Sequence, residues 1–263
     1  MVEFVWHDCF VVKSDSVNLV FDYWLDKDGE NREFPDFLSG LDPDKPLIVF
    51  VSHGHKDHYN PAIFSWASRF SNIRYIVSKD VYKRIRHIIS PSSVYSGPKV
   101  DESSVIQMRP GDDYFADSFH VRACPSTDIG NSYMVETDGH RFFHAGDLNA
   151  WIWLDESTEQ EVKKALGDYK ACLRDIAAYL DSAEADAWRS GAVIDYCFFP
   201  VDSRIGRDYE TGAKMFLETF IVINFCPMHF DLGDNAERLE RKADALKAVE
   251  RSLKHKCEKV LKF

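Results

Sequence analysis

One six-residue stretch, His53-Gly54-His55-Lys56-Asp57-His58, constrains this chain more than any other. It carries three imidazoles and a carboxylate, and an apolar run, Leu47-Ile48-Val49-Phe50-Val51, leads directly into it. A run of that length and composition reads as a buried strand, so the histidines sit at a strand's C-terminal end. In an extended loop, residues two apart point the same way, so His53 and His55 can reach one point. Asp57 and His58 then turn towards a second point nearby. Neutral imidazole and carboxylate suit zinc, manganese or iron.

Two later strand ends carry similar chemistry. Phe142-Phe143-His144-Ala145-Gly146-Asp147 ends an apolar run in Gly-Asp, and Phe225-Cys226-Pro227-Met228-His229 ends another in His. Beyond a further strand end, Asp202 and Arg204 occupy a loop. Arg204 there either clamps an anionic substrate group or pairs with Asp202. Trp151 and Trp153 follow Asp147 closely and are candidates for a pocket wall.

The remaining sequence reads as strands and helices in alternation. Phe4 to Val12 and Val17 to Tyr23 suggest an opening meander, with Asp22 at the end of its second run. Asn60 before Pro61 suggests a capped helix, and Val81 to Ile89 suggests another. Further strands are expected at Val105–Met108, Phe119–Ala123, Ser132–Glu136 and Arg141–His144, the last two joined at Asp138-Gly139 as a hairpin. Residues 158–189 read as a helix in which Val162, Leu166, Tyr169, Leu173, Ile176 and Leu180 form one stripe. That stripe suits a core face, a lid or a dimer seam. The segment 235–256 reads as a terminal amphipathic helix. Altogether the pattern predicts an α/β layered core, with residues 1–263 forming one domain.

Composition limits the function. The net charge of −11 counts against nucleic acid as a partner. The six cysteines are scattered without a C-x-x-C pair, which fits reduced thiols and a cytoplasmic location. No run approaches the ~20 apolar residues of a membrane helix. The opening residues lack the basic-then-apolar order of a secretory leader. The expected partner is a small-molecule substrate, and a homo-oligomer is compatible with the sequence.

The His-x-His-x-Asp-His stretch, with Gly146-Asp147 and His229, resembles the metallo-β-lactamase superfamily. That resemblance runs from about residue 4 to residue 230 and is specific at the metal motifs. It implies a four-layer αβ/βα sandwich with the metal site at one edge of two facing sheets. It implies one or two divalent metal ions, zinc foremost, with manganese or iron as alternatives. His53 and His55 would hold the first ion, Asp57, His58 and His229 the second, and Asp147 would bridge them. Asp57 would act as general base if only one ion binds.

One part of the usual pattern is missing. Many members supply a further histidine between the first cluster and Gly-Asp, where this chain has Asp128. His144, two residues before Gly146, is the other local candidate, as a ligand or as a group orienting one. This arrangement, with the opening Trp6-His7-Asp8-Cys9-Phe10, is similar to the L-ascorbate-6-phosphate lactonase-like branch. The resemblance implies a metal-dependent hydrolase for a small anionic or cyclic metabolite (a lactone, ester, amide or phosphoester). The alternatives are a nuclease or phosphodiesterase of the same fold, and a non-enzymatic metal-binding protein.

Overall fold

The computed structural model describes residues 1–24, 37–182, 192–229 and 259–260. Thirteen strands among them form two sheets. In the first, β1 (Val2–Trp6), β2 (Cys9–Lys13), β3 (Asn18–Phe21), β4 (Leu47–Val51), β5 (Ile73–Ser78) and β6 (Val105–Met108) lie in chain order. The β1–β3 segment is antiparallel, and β3 to β6 run parallel. The second sheet comprises β7 (Asp113–Phe115), β8 (His120–Cys124), β9 (Ser132–Thr137), β10 (His140–His144), β11 (Val193–Pro200), β12 (Ile221–Met228) and β13 (Lys259–Val260). Its order is also sequential, with β10 to β13 parallel.

Strand periodicity assigns the faces. In β4, Ile48 and Phe50 point into the core between the sheets, while Leu47, Val49 and Val51 point to the outer layer. Both faces are covered, so β4 is a continuous apolar run. The outer layer on the first sheet is a 3-10 helix (Pro61–Ser68) with α1 (Lys79–Arg84) and α2 (Arg86–Ile89). On the second sheet it is α3 (Glu159–Leu180) and α4 (Thr211–Thr219). Aromatic rings join the sheets, with Phe10 stacked on Phe198 at 4.2 Å. The result is the four-layer αβ/βα sandwich expected from sequence.

Several local expectations need correction. The Phe4–Val12 run is two strands rather than one, because the chain reverses at His7-Asp8. His7 takes a positive φ of 52° there, and the pairing slips between Phe4 and Trp6. The helix begun by Asn60 forms as 3-10 turns, with the Asn60 side chain accepting from Ala62 N–H as expected. Val81–Ile89 breaks at Ile85 into α1 and α2. The Asp138-Gly139 hairpin forms, both residues at positive φ.

Helix α3 starts at a capping box between Thr158 and Glu161. Its residues Tyr169, Leu173, Ile176 and Leu180 are buried in the core. It ends at Leu180, and the rest of the expected 158–189 helix falls largely outside the described residues, as does the 235–256 segment. The five cysteines whose surroundings are described are buried and form no disulfide among the described residues. No described helix is long and apolar enough to cross a membrane.

Candidate metal centre

Parallel strands present their C-terminal ends on one side, and ligands of open α/β sheets gather there. Here β3 ends in Asp22, β4 in Ser52-His53, β10 in Ala145-Gly146-Asp147, β11 in Val201-Asp202 and β12 in His229. The β1–β2 turn brings His7 and Asp8 to the same place. Among the described residues, six non-glycine positions have positive φ, and four of them border this centre: His7, Asp22, Trp151 and His229. Such backbone costs of order 1–3 kcal/mol per residue and concentrates where geometry is over-determined. Gly146 is required twice over. Its φ is +53°, and a Cβ would lie 2.9 Å from the Asn131 carbonyl oxygen and the Ser52 Cβ.

Asp147 lies at the middle. Its Oδ2 is 3.2 Å from His53 Nε2 and 3.9 Å from His55 Nδ1. Its Oδ1 is 3.0 Å from His58 Nε2 and 3.2 Å from His229 Nε2. The two carboxylate oxygens therefore face two different imidazole pairs.

The far side of each buried ring fixes its proton. His58 Nδ1 lies 2.8 Å from Asp22 Oδ2, and His229 Nδ1 lies 3.0 Å from Asp202 Oδ2. Ser52 Oγ donates to Asp22, leaving a lone pair to accept from His53 Nδ1 at 3.0 Å. A neutral ring in each place carries its proton on Nδ1 and turns the Nε2 lone pair inward. All three Nε2 atoms are buried without a hydrogen bond in the structure, as is Asp147 Oδ1. Lone pairs and carboxylate oxygens converging at 3.0–3.2 Å repel one another unless a cation lies among them. The donor set fits divalent cations on that ground.

Electrostatics agree. Burial works to push the Asp147 carboxyl up, but His58 and His229 outweigh it and hold it well below the usual range. Burial likewise opposes charge on His58 and His229. The carboxylates of Asp147 and Asp8 overcome it and raise both imidazoles well above their ordinary value. Without a cation, these carboxylates hold protons on the rings instead.

The other sequence candidates take distinct places. Asp57 is 3.8 Å from His7 Nε2 and 3.9 Å from His229 Nε2 and groups with those two, not with His58. His55 and Asp128 stand at the rim, 48% and 42% exposed, with 3.9 Å between His55 Nδ1 and Asp128 Oδ2. His144 cannot offer a ring nitrogen to an ion. Its Nε2 donates to the Asp8 carbonyl at 2.9 Å, and its Nδ1 accepts from Gly146 N–H at 3.2 Å.

Asp202 and Arg204 pair with each other. The guanidinium donates to both Asp202 oxygens, and Asp202 lies behind His229 rather than in front of a substrate. Trp151 is half-buried against the His229 ring at 5.5 Å, and its Nε1–H donates to the Asp147 carbonyl at 2.7 Å. Lys56 is exposed.

Sequence reasoning missed His7, Asp8 and Asp22 as site residues. Asp8 is fully buried, with Oδ2 3.2 Å from His58 Nε2 and 3.3 Å from His7 Nε2. The available signal was an Asp-bearing break inside an otherwise apolar run.

Residues 17–194, more than half of the chain, match the model of the β-lactamase superfamily domain. Among solved structures, Igni18, a metallo hydrolase from Ignicoccus hospitalis, aligns with a TM-score of 0.59 at 15% identity, over 97% of this chain and 92% of that one. YhfI from Bacillus subtilis, a metallo-β-lactamase fold protein, aligns at 0.54 and 10% identity, over 98% and 89%. CmlA from Streptomyces venezuelae, a diiron β-hydroxylase, aligns at 0.54 and 14% identity, over 99% of this chain and 52% of that one. At these identities the likeness is one of fold. Comparison with curated proteins gave no match. The matched domain and the two-sheet sandwich together establish that this chain belongs to the metallo-β-lactamase superfamily.

Proposed function

We propose that the chain is a metal-dependent hydrolase with a two-cation centre, acting on a small anionic or cyclic metabolite. The observation that carries this reading is the division of Asp147, one oxygen towards His53 and His55 and the other towards His58 and His229. His53 and His55 would hold the first cation, His58 and His229 the second, and Asp147 both. When bound, such cations lower the pKa of a coordinated water from 15.7 to about 7 and polarise a carbonyl or phosphoryl oxygen.

The protein's own groups supply the rest. Asp57, 35% exposed at the opening, is reachable by substrate and water. Burial works to raise its carboxyl, but neighbouring His7, at 3.8 Å, and the charges of His58 and His229 hold it below the ordinary range. It is thus ionised and placed to accept a proton from water and pass it to a leaving group. Trp151, against His229, forms the adjoining wall.

The lactonase-like branch is the favoured assignment within the superfamily. It rests on His7 and Phe10 in the opening hairpin and on His144 two residues before Gly146-Asp147. Zinc, manganese and iron all suit this mixed imidazole and carboxylate set.

The test is removal of metal by a chelator and reloading with zinc, manganese or iron separately. Each form is assayed on lactone, ester, phosphodiester and RNA substrates. Metal-restored cleavage of a lactone or ester that is absent in Asp147→Ala is the expected result. RNA cleavage lost in His58→Ala would instead favour a nuclease. Stoichiometric metal binding with no hydrolysis of any substrate would favour a non-enzymatic role.

A further inference from the structure

The β1–β2 turn contributes a carboxylate that the sequence motifs do not include. Asp8 is completely buried, yet neither of its carboxylate oxygens has a hydrogen-bond partner. Burying an ionised carboxylate costs several kcal/mol unless it is paired or coordinates an ion. Its Oδ2 points at the same nitrogen that Asp147 Oδ1 faces, His58 Nε2, at 3.2 Å against 3.0 Å. One oxygen of Asp8, Nε2 of His58 and a ring nitrogen of His229 lie within 4.8 Å of one another, close enough to share one ion.

The turn is held in that place from two sides. His144 Nε2 donates to the Asp8 carbonyl at 2.9 Å, and His229 N–H donates to the His7 carbonyl at 3.4 Å. These bonds tie the hairpin to the strand ends that deliver Asp147 and His229. The positive φ of His7 permits the sharp reversal that sends Asp8 inward.

We infer that Asp8 is a direct ligand of the second cation, so that the amino-terminal hairpin forms part of the metal centre. This inference rests on the two-cation reading above and adds to it a third carboxylate, beside Asp147 and Asp57. Asp8, His58, His229 and Asp147 together give the second position two nitrogens and two carboxylate oxygens. The first position has His53 and His55 with Asp147. The asymmetry makes the second position the more anionic and so the better host for a hard cation such as manganese or iron.

The experiment measures metal content and affinity in the full-length protein, independently of turnover. Wild type, Asp8→Asn and Asp8→Glu are stripped, dialysed against manganese or zinc, and analysed for ions per chain. Folding is checked by circular dichroism. Calorimetric titration then gives the affinity of each step.

The expected result is two ions per wild-type chain. In Asp8→Asn the second should weaken at least tenfold while the first is retained, and Asp8→Glu should recover part of the loss. If Asp8→Asn does not fold, the second-ion affinity of Asp8→Glu decides the matter, because a longer carboxylate displaces the ligand oxygen. Unchanged stoichiometry and affinity in a folded variant would overturn the inference and leave the two-cation reading standing. A wild type that binds no divalent ion would overturn the two-cation reading itself.

Discussion

The Nδ1 of His58 lies 2.8 Å from Oδ2 of Asp22, so the residue ending β3 sets the direction of the last imidazole in the histidine loop. Asp22 also accepts from Ser52 N–H at 2.7 Å and from Ser52 Oγ at 2.5 Å, and so fixes the loop's first residue as well. Partners of this kind typically contribute about 10- to 100-fold in metal affinity. Asp22→Ala should weaken cation binding by that factor, read by calorimetric titration. An unaltered affinity would mean that His58 holds its orientation without Asp22.

A corresponding test applies across the site. Asp202 orients His229, and Arg204 acts through Asp202. Asp202→Ala should weaken metal binding about 10- to 100-fold, and Arg204→Ala by less, since the carboxylate remains. With substrate in hand, Arg204→Ala should leave KM nearly unchanged. A large rise in KM with intact metal affinity would instead make Arg204 a substrate contact.

His144 and Asp128 separate by their surroundings. His144→Ala leaves the buried Asp8 carbonyl and the Gly146 N–H short of partners, at a cost of about 1–3 kcal/mol each. The variant should unfold at lower denaturant and, with the Asp8 turn less firmly held, bind the second cation more weakly while keeping the first. Asp128→Ala, at the exposed rim, should change neither metal content nor stability by much. Loss of the first ion in either variant, by metal analysis of folded protein, would contradict this placement.

Acidity supplies a further check. In the metal-free protein His58 and His229 are raised well above their ordinary value. Their contribution to stability is fully present below the unfolded value, about 6.5, and is lost as pH rises through the raised folded values. The metal-free protein should therefore lose thermal stability on the alkaline side, and added zinc or manganese should restore it. Cations must also displace those protons, so affinity should rise with pH and binding should release protons. Titrations in buffers of different ionisation enthalpy measure that release, and its absence would mean the rings are already neutral.

Periodicity made most of the sandwich legible. The β4 run, the Asp138-Gly139 hairpin and the α3 stripe each follow from side-chain spacing, because both faces of these elements are determined by burial. His53, His55, His58, Asp147 and His229 could be picked out because each follows an apolar strand. Asp8 could not, because the apolar residues on either side, Phe4 to Trp6 and Cys9 to Val12, hide a two-residue reversal. Asp22 was visible as a strand end, but its role depends on β3 lying beside β4, a pairing between segments distant in sequence. Likewise, Asp202 and Arg204 pair only because of how one short turn folds.

The hairpin at His7-Asp8 also imposes an order in time. Among the centre's groups, Asp8 leaves the ribosome early and His229 late, yet both face His58 or Asp147. Early in synthesis, the side that carries Asp8 and the histidine loop still lacks Asp147 and His229. Only when β12 arrives beside β11 does the circle close. A cation that is held by all of these groups binds the closed centre more tightly than its precursor, so that difference in affinity adds to the stability of the fold. The metal in this protein would act as a latch between the β1–β2 hairpin and β12.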